Sequence, residues 1–175
     1  MKAAFHYLAA RPDVDPKHIG SIGWSMGGRF AIRLATHEPR LAAAVVNYGM
    51  PSTNPIEIQK INAQVLGHWG ALDRGVPLGK VRVFEKVMKT LNKSINMKIY
   101  TGAGHSFENP SNKRGYRAEA ATDAWCRTLA FLTKVIKSKN RKFDCGGTAT
   151  REGSRRGRSD MSRLVSDDKT RSKGA

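Results

Sequence analysis

The chain has little cysteine, few acidic residues and no long apolar run, and each shortage removes a class of protein. Cys126 and Cys145 are the only cysteines among 175 residues. They fall at neither metal-ligand nor disulfide-scaffold spacing, so a cysteine-built metal centre is excluded and a reducing, cytoplasmic compartment is expected. No stretch approaches the roughly 20 apolar residues that cross a bilayer. Met1 to Leu8 is too short and too polar for a signal core. A soluble protein with no membrane partner is expected.

Acidic residues number 14 against 31 Lys and Arg, a formal charge of +17 that invites a nucleic-acid reading. The excess is dispersed, with 20 basic and 9 acidic residues in 1–137 and 11 and 5 in 138–175. No arginine-rich helix or aromatic-interleaved basic patch concentrates it. A specific nucleic-acid partner is therefore not expected.

What is present is a chain of alternating strands and helices, with 39% hydrophobic residues to build one core. Ala3, Ala4, Tyr7 and Leu8 share a helical face, and Pro12 and Pro16 stop that helix. Strands are expected at His18 to Ile22, Leu41 to Asn47, Ile61 to Gly67 and Ile95 to Tyr100, and His68 to Gly75 is read as a loop. Helices are expected from Arg29 to His37, from Pro77 through Leu91, and from Arg117 to Lys137, the last burying Ala121, Ala124, Trp125, Leu129, Leu132 and Ile136. The fold class is α/β with a parallel sheet, in a domain over residues 1–138. Beyond it, residues 146–175 are Gly-, Ser-, Arg- and Asp-rich with few aliphatics, and a basic disordered tail is expected over 139–175.

Gly23-Trp24-Ser25-Met26-Gly27 fits the G-x-S-x-G elbow, in which a serine stands on a sharp strand-to-helix turn above the carboxyl edge of a sheet. Gly23 and Gly27 are expected to make room for the close approach of strand and helix. Asp73 follows the third strand and His105 the fourth, so Ser, Asp and His occupy strand-end loops in the chain order of α/β-hydrolases. The chemistry needs those types. A serine hydroxyl attacks only if a base takes its proton, a free imidazole titrates at about 6.5, and a carboxylate fixes the imidazole tautomer. The backbone N–H of Met26 is the expected oxyanion donor.

Together, Asp15 to Gly20, the elbow, Val45-Val46-Asn47-Tyr48-Gly49, Leu66 to Asp73 with Val76-Pro77, and Tyr100 to Phe107 resemble the dienelactone hydrolase family over residues 3 to 137. The resemblance implies an α/β-hydrolase fold and hydrolysis of a small ester or lactone without metal or cofactor. It also implies the catalytic roles of Ser25, Asp73 and His105. Two features depart from the family pattern. Dienelactone hydrolases proper use cysteine at the position of Ser25, and the family's first strands, which carry the second oxyanion donor, are not recognised. About four strands of the usual sheet are expected, as in an N-terminally truncated member with an open edge beside the nucleophile strand.

Trp24 and Trp69 are candidates for pocket walls, and equally for core. His68 has no second ligand at metal spacing and reads as a loop or packing residue. Glu108 could replace Asp73 as the acid, but it reads as solvated. Arg29 is expected in a salt bridge on its helix and Cys126 as a buried thiol. Two other functions compete with the hydrolase. One is a weak or inactive member acting by association, even with itself through the open edge; the other is a basic nucleic-acid binder.

Overall fold

Parallel strands need crossover connections, and the alternation of elements supplies them. In the computed structural model, which describes residues 1–136, the chain runs α1 (Lys2–Ala9), β1 (Gly20–Trp24), α2 (Met26–His37), β2 (Ala43–Asn47), α3 (Pro55–Ile58), β3 (Gln64–Gly70), α4 (Leu78–Thr90), β4 (Ile95–Tyr100) and α5 (Ala118–Ile136). The four strands form one sheet in sequence order, each pair parallel. The expected tail from residue 139, with Cys145, lies outside the described residues. None of the described helices is long and apolar enough to cross a membrane.

Strand register sorts the side chains into two faces. The row Ser21, Ala44, Val65 and Ile95 turns towards α2, where Ser21 Oγ donates to the Ala31 carbonyl at 3.3 Å. The row Trp24, Asn47, His68 and Lys98 turns towards α5, whose Asp123 receives Lys98 Nζ at 3.0 Å. The central strand β2 is buried at all its positions, as a strand covered on both faces must be. β1 and β4 bound the sheet and are only partly covered.

Four local expectations are corrected. The first strand begins at Gly20 rather than His18, because Asp15 Oδ1 accepts from Lys17 N at 2.9 Å and winds Pro16–His18 into a 3₁₀ turn. The strand then continues through Trp24, immediately before Ser25. β3 continues to Gly70, through residues read as a loop, since His68 and Trp69 find buried partners there. α3 was not anticipated. It is a single turn closed by Asn54 Oδ1 on Ile56 N at 2.9 Å. On α5 the buried seam is Ala124 and Thr128, while Trp125 is 49% exposed and Cys126 only half-buried. Thr128 takes the central place because its hydroxyl lies 3.4 Å from His68 Nε2.

His68 is fully buried in β3, with Tyr100 Oη 3.3 Å from Nδ1. Burial, reinforced by the charge of Arg127, lowers its pKa to about 4. The ring is thus neutral in the folded protein and must stay so. In the unfolded chain it takes up a proton near pH 6.5, so stability from the neutral ring is complete above that pH and declines as pH falls towards 4. In urea titrations, the stability of wild type relative to His68→Gln should fall by about 2 kcal/mol between pH 7 and pH 5. Equal losses in both proteins would assign the acid sensitivity elsewhere.

Candidate active site

The site begins with a backbone contact. A β-carbon at Gly23 would stand 2.1 Å from the Gly27 carbonyl oxygen, so only glycine lets β1 turn so sharply into α2. Ser25, at the corner, has φ 55° and ψ −118°, a strained setting for a residue with a side chain. It is held by Ser25 N donating to the Asn47 carbonyl at 2.9 Å and by Arg29 N donating to the Ser25 carbonyl at 3.1 Å. One expectation about the glycines fails. A β-carbon at Gly27 would meet nothing within 4 Å, whereas at Gly28 it would lie 3.0 Å from the Asn47 carbonyl and 3.1 Å from Gly49 Cα. Gly28 and Gly49, not Gly27, allow the first turn of α2 to rest on the end of β2.

Asp73 sits in the turn after β3, its side chain inaccessible to solvent. Its Oδ1 accepts from Gly75 N at 2.8 Å and Val76 N at 3.0 Å, which fixes the carboxylate plane. The other oxygen, Oδ2, lies 2.7 Å from His105 Nδ1. His105 stands on the loop after β4, and its Nε2 lies 2.7 Å from Ser25 Oγ. If Nδ1–H donates to Asp73, Nε2 is left free to accept the serine proton, which is the tautomer a general base needs. The three residues come together from turns widely separated in sequence. Phe107, fully buried, anchors the loop by packing its ring at a tilt against Tyr100, centroids 5.0 Å apart, and Tyr48 meets both His105 (5.2 Å) and Phe107 (5.6 Å) edge-on.

Met26 is the first residue of α2, so its N–H is among those a helix leaves unpaired and lies at the positive end of the helix dipole. Trp24 is 41% exposed beside Ser25. Trp69 is corrected as a pocket wall. It is fully buried on the face towards α2, its ring over Gly67 and its Nε1 donating to the Gly49 carbonyl at 2.9 Å. Glu108 is only partly solvated. Its Oε2 accepts from Trp24 Nε1 at 2.9 Å and its Oε1 is buried. Sequence gave no sign of this, because the pair lies 84 residues apart. No salt bridge involves Arg29 among the described residues. Among those residues, no group of three or more His, Cys, Asp or Glu side chains could hold a metal ion.

A parallel sheet with a strained serine elbow and with Asp and His on later strand-end turns defines the α/β-hydrolase class. Within that class, the chain belongs to the dienelactone hydrolase family, whose model matches residues 1–136. It is 38% identical over 135 residues to a protein of Saccharolobus solfataricus that carries the name carboxymethylenebutenolidase, covering 77% of this chain and 50% of the other. The chain therefore spans about half the length of the curated relatives it matches. A Klebsiella pneumoniae crystal structure titled as a dienelactone hydrolase superposes with a TM-score of 0.68 at 28% identity, over 76% of this chain and 58% of that one. A dienelactone hydrolase-like promiscuous phosphotriesterase from metagenomic libraries gives 0.70 at 24% identity, over 78% and 60%, a likeness of fold.

The two elbow glycines should part company under mutation. Gly23→Ala should destabilise by about 3 kcal/mol or more, as strained overpacking does. Gly27→Ala, in a helix and against open space, should be neutral or stabilising by up to about 1 kcal/mol. Urea denaturation of the two variants measures both, and equal losses would contradict the assigned contact.

Proposed function

We propose that this chain is a serine hydrolase acting on small carboxylic esters or lactones. The observation that carries the reading is the continuous hydrogen-bonded chain from Ser25 Oγ through both ring nitrogens of His105 to Asp73, each link 2.7 Å. In this reading Ser25 Oγ bonds to the carbonyl carbon while its proton passes to His105 Nε2. The Met26 N–H receives the developing oxyanion, and the tetrahedral adduct collapses as the leaving alkoxide takes the proton back from His105. Water, giving its proton to His105, then attacks the acyl-Ser25 carbonyl. A second tetrahedral adduct releases the acid and restores the serine. Asp73 holds the ring tautomer and balances the imidazolium formed in each half. The relatives' names favour lactones among the substrates, and serine in place of cysteine leaves the same two-step chemistry.

Trp24, beside the nucleophile and partly exposed, is the side chain best placed to meet the substrate. Fluorophosphonate labelling and turnover of p-nitrophenyl acetate test the assignment. Ser25→Ala and His105→Ala should each lower kcat by roughly 10⁴-fold or more, and Asp73→Asn by roughly 10³- to 10⁴-fold. Labelling that survives Ser25→Ala would contradict it.

A second reading, self-association, is favoured by the sheet edge. β1 is terminal, with Ile22 38% and Trp24 41% exposed. Beside it Phe5, Leu8, Ile22, Phe30 and Leu34 help line an apolar groove of about 230 Å³ between α1 and α2. An unpaired apolar edge templates pairing with another strand, and a second copy of β1 offers the same surface. Sedimentation should then show a dimer that Ile22→Lys converts to monomer. A monomer at every concentration would discount it.

A further inference from the structure

The hydrolytic reading leaves the half-buried carboxyl of Glu108, beside the site, without a role. Glu108 lies three residues after His105, and Trp24 immediately precedes Ser25. Their 2.9 Å hydrogen bond, Trp24 Nε1 donating to Glu108 Oε2, therefore ties the histidine loop directly to the nucleophile elbow. It is the counterpart of the anchor made by Phe107. The aromatic ring pins the loop into the core from below, and Glu108 pins it sideways to β1. Between His105 and these anchors Ser106 adopts φ 57°, so the loop makes a sharp local turn there.

The carboxyl is not a surface group that happens to meet an indole. Oε1 is buried with no hydrogen-bond partner among the described residues, and no cation pairs with Glu108 there. The groups facing it are neutral. Trp24 on β1 is a donor only, while Tyr48 after β2 and Tyr100 on β4 are phenols held well above their ordinary range, by burial first and with the Glu108 charge contributing. Burial, opposed by Trp24, raises the Glu108 pKa to about 7. The group thus changes charge in the neutral range. A glutamine would accept the same indole hydrogen bond without charge, so the distinctive contribution of Glu108 is its ionisation.

We propose that Glu108 is a positioning residue of the hydrolytic site, acting through Trp24, and that its carboxylate form holds the elbow and histidine loop in register better than its neutral form. This rests on the serine-hydrolase reading. An N–H bond to a carboxylate is about twice as strong as one to a neutral acceptor. The tie tightens as pH rises through 7, while the uncompensated charge costs stability over the same interval. The folded protein holds the Glu108 proton to higher pH than the unfolded chain, so stability is lost as pH rises from the ordinary carboxylate range through about 7.

The test compares wild type, Glu108→Gln, Trp24→Phe and the double variant between pH 5 and 8.5. Fluorophosphonate labelling, p-nitrophenyl acetate turnover and urea stability are measured for each. The wild-type kcat profile should contain an ionisation near pH 7 that Glu108→Gln lacks, with KM unchanged within twofold and kcat at pH 8 lowered about 5-fold, on the scale of a charge-assisted bond. Trp24→Phe should lose the same ionisation from its kcat profile and lower kcat at pH 8 to the same extent, any further loss falling on KM because Trp24 also meets the substrate, and the double variant should have a kcat no lower than either single. Glu108→Gln should also raise the urea midpoint at pH 8, and raise it by clearly less at pH 5. Superimposable kcat profiles, multiplicative losses in the double variant, or no stability gain at pH 8 would each overturn the proposal. Labelling that is absent from the wild type would instead remove the serine-hydrolase reading, and this one with it.

Discussion

The site depends on a backbone contact rather than on any side chain. Because the Gly27 carbonyl occupies the space of a β-carbon at Gly23, and the first turn of α2 rests on Gly49, strand and helix meet with almost no loop between them. Ser25 is forced to a positive φ at the corner, and its hydroxyl projects from the end of the sheet. A strained residue persists only where its surroundings over-determine it. Here β2 does so, through the Asn47 carbonyl that accepts from Ser25 N and the Asn47 amide that donates to the Gly23 carbonyl.

From that corner the rest follows by parallel topology. With strands in order β1 to β4, each carboxyl end opens at the same edge of the sheet, so the turns after β3 and β4 bring Asp73 and His105 to the serine. The carboxylate is preorganised by two backbone N–H groups, and the imidazole is steadied by Tyr48. Under the proposed mechanism, a chain held in this way would need little reorganisation as charge develops on the ring. Among the described residues, the same topology leaves the outer edge of β1 unpaired, and the chain spans about half the length of its curated relatives.

Much of this was legible in the residues. The elbow, Asp73 and His105 fall at the ends of apolar strands, and their order is informative because each residue type has a distinct chemical task. Contacts between distant segments were hidden. Gly28 looks redundant beside Gly27 until Gly49 is brought against it, and His68 and Trp69 read as loop until Thr128 and the Gly49 carbonyl provide partners. Glu108 read as solvated because its charge suggests water, and only the fold places Trp24 over it. Trp125 erred in the opposite sense: hydropathy placed it in the core, but Ala124 and Thr128 take the narrow seam beneath β2 and β3.

The central claim is that Ser25 becomes acylated during turnover. Rapid acid quench of the protein with an activated ester, followed by intact-mass measurement and peptide mapping, tests it directly. The account predicts one acyl group, carried on the peptide containing Ser25 and lost in time as water resolves it. Product release with no adduct on Ser25, or an adduct mapping to another residue, would contradict it.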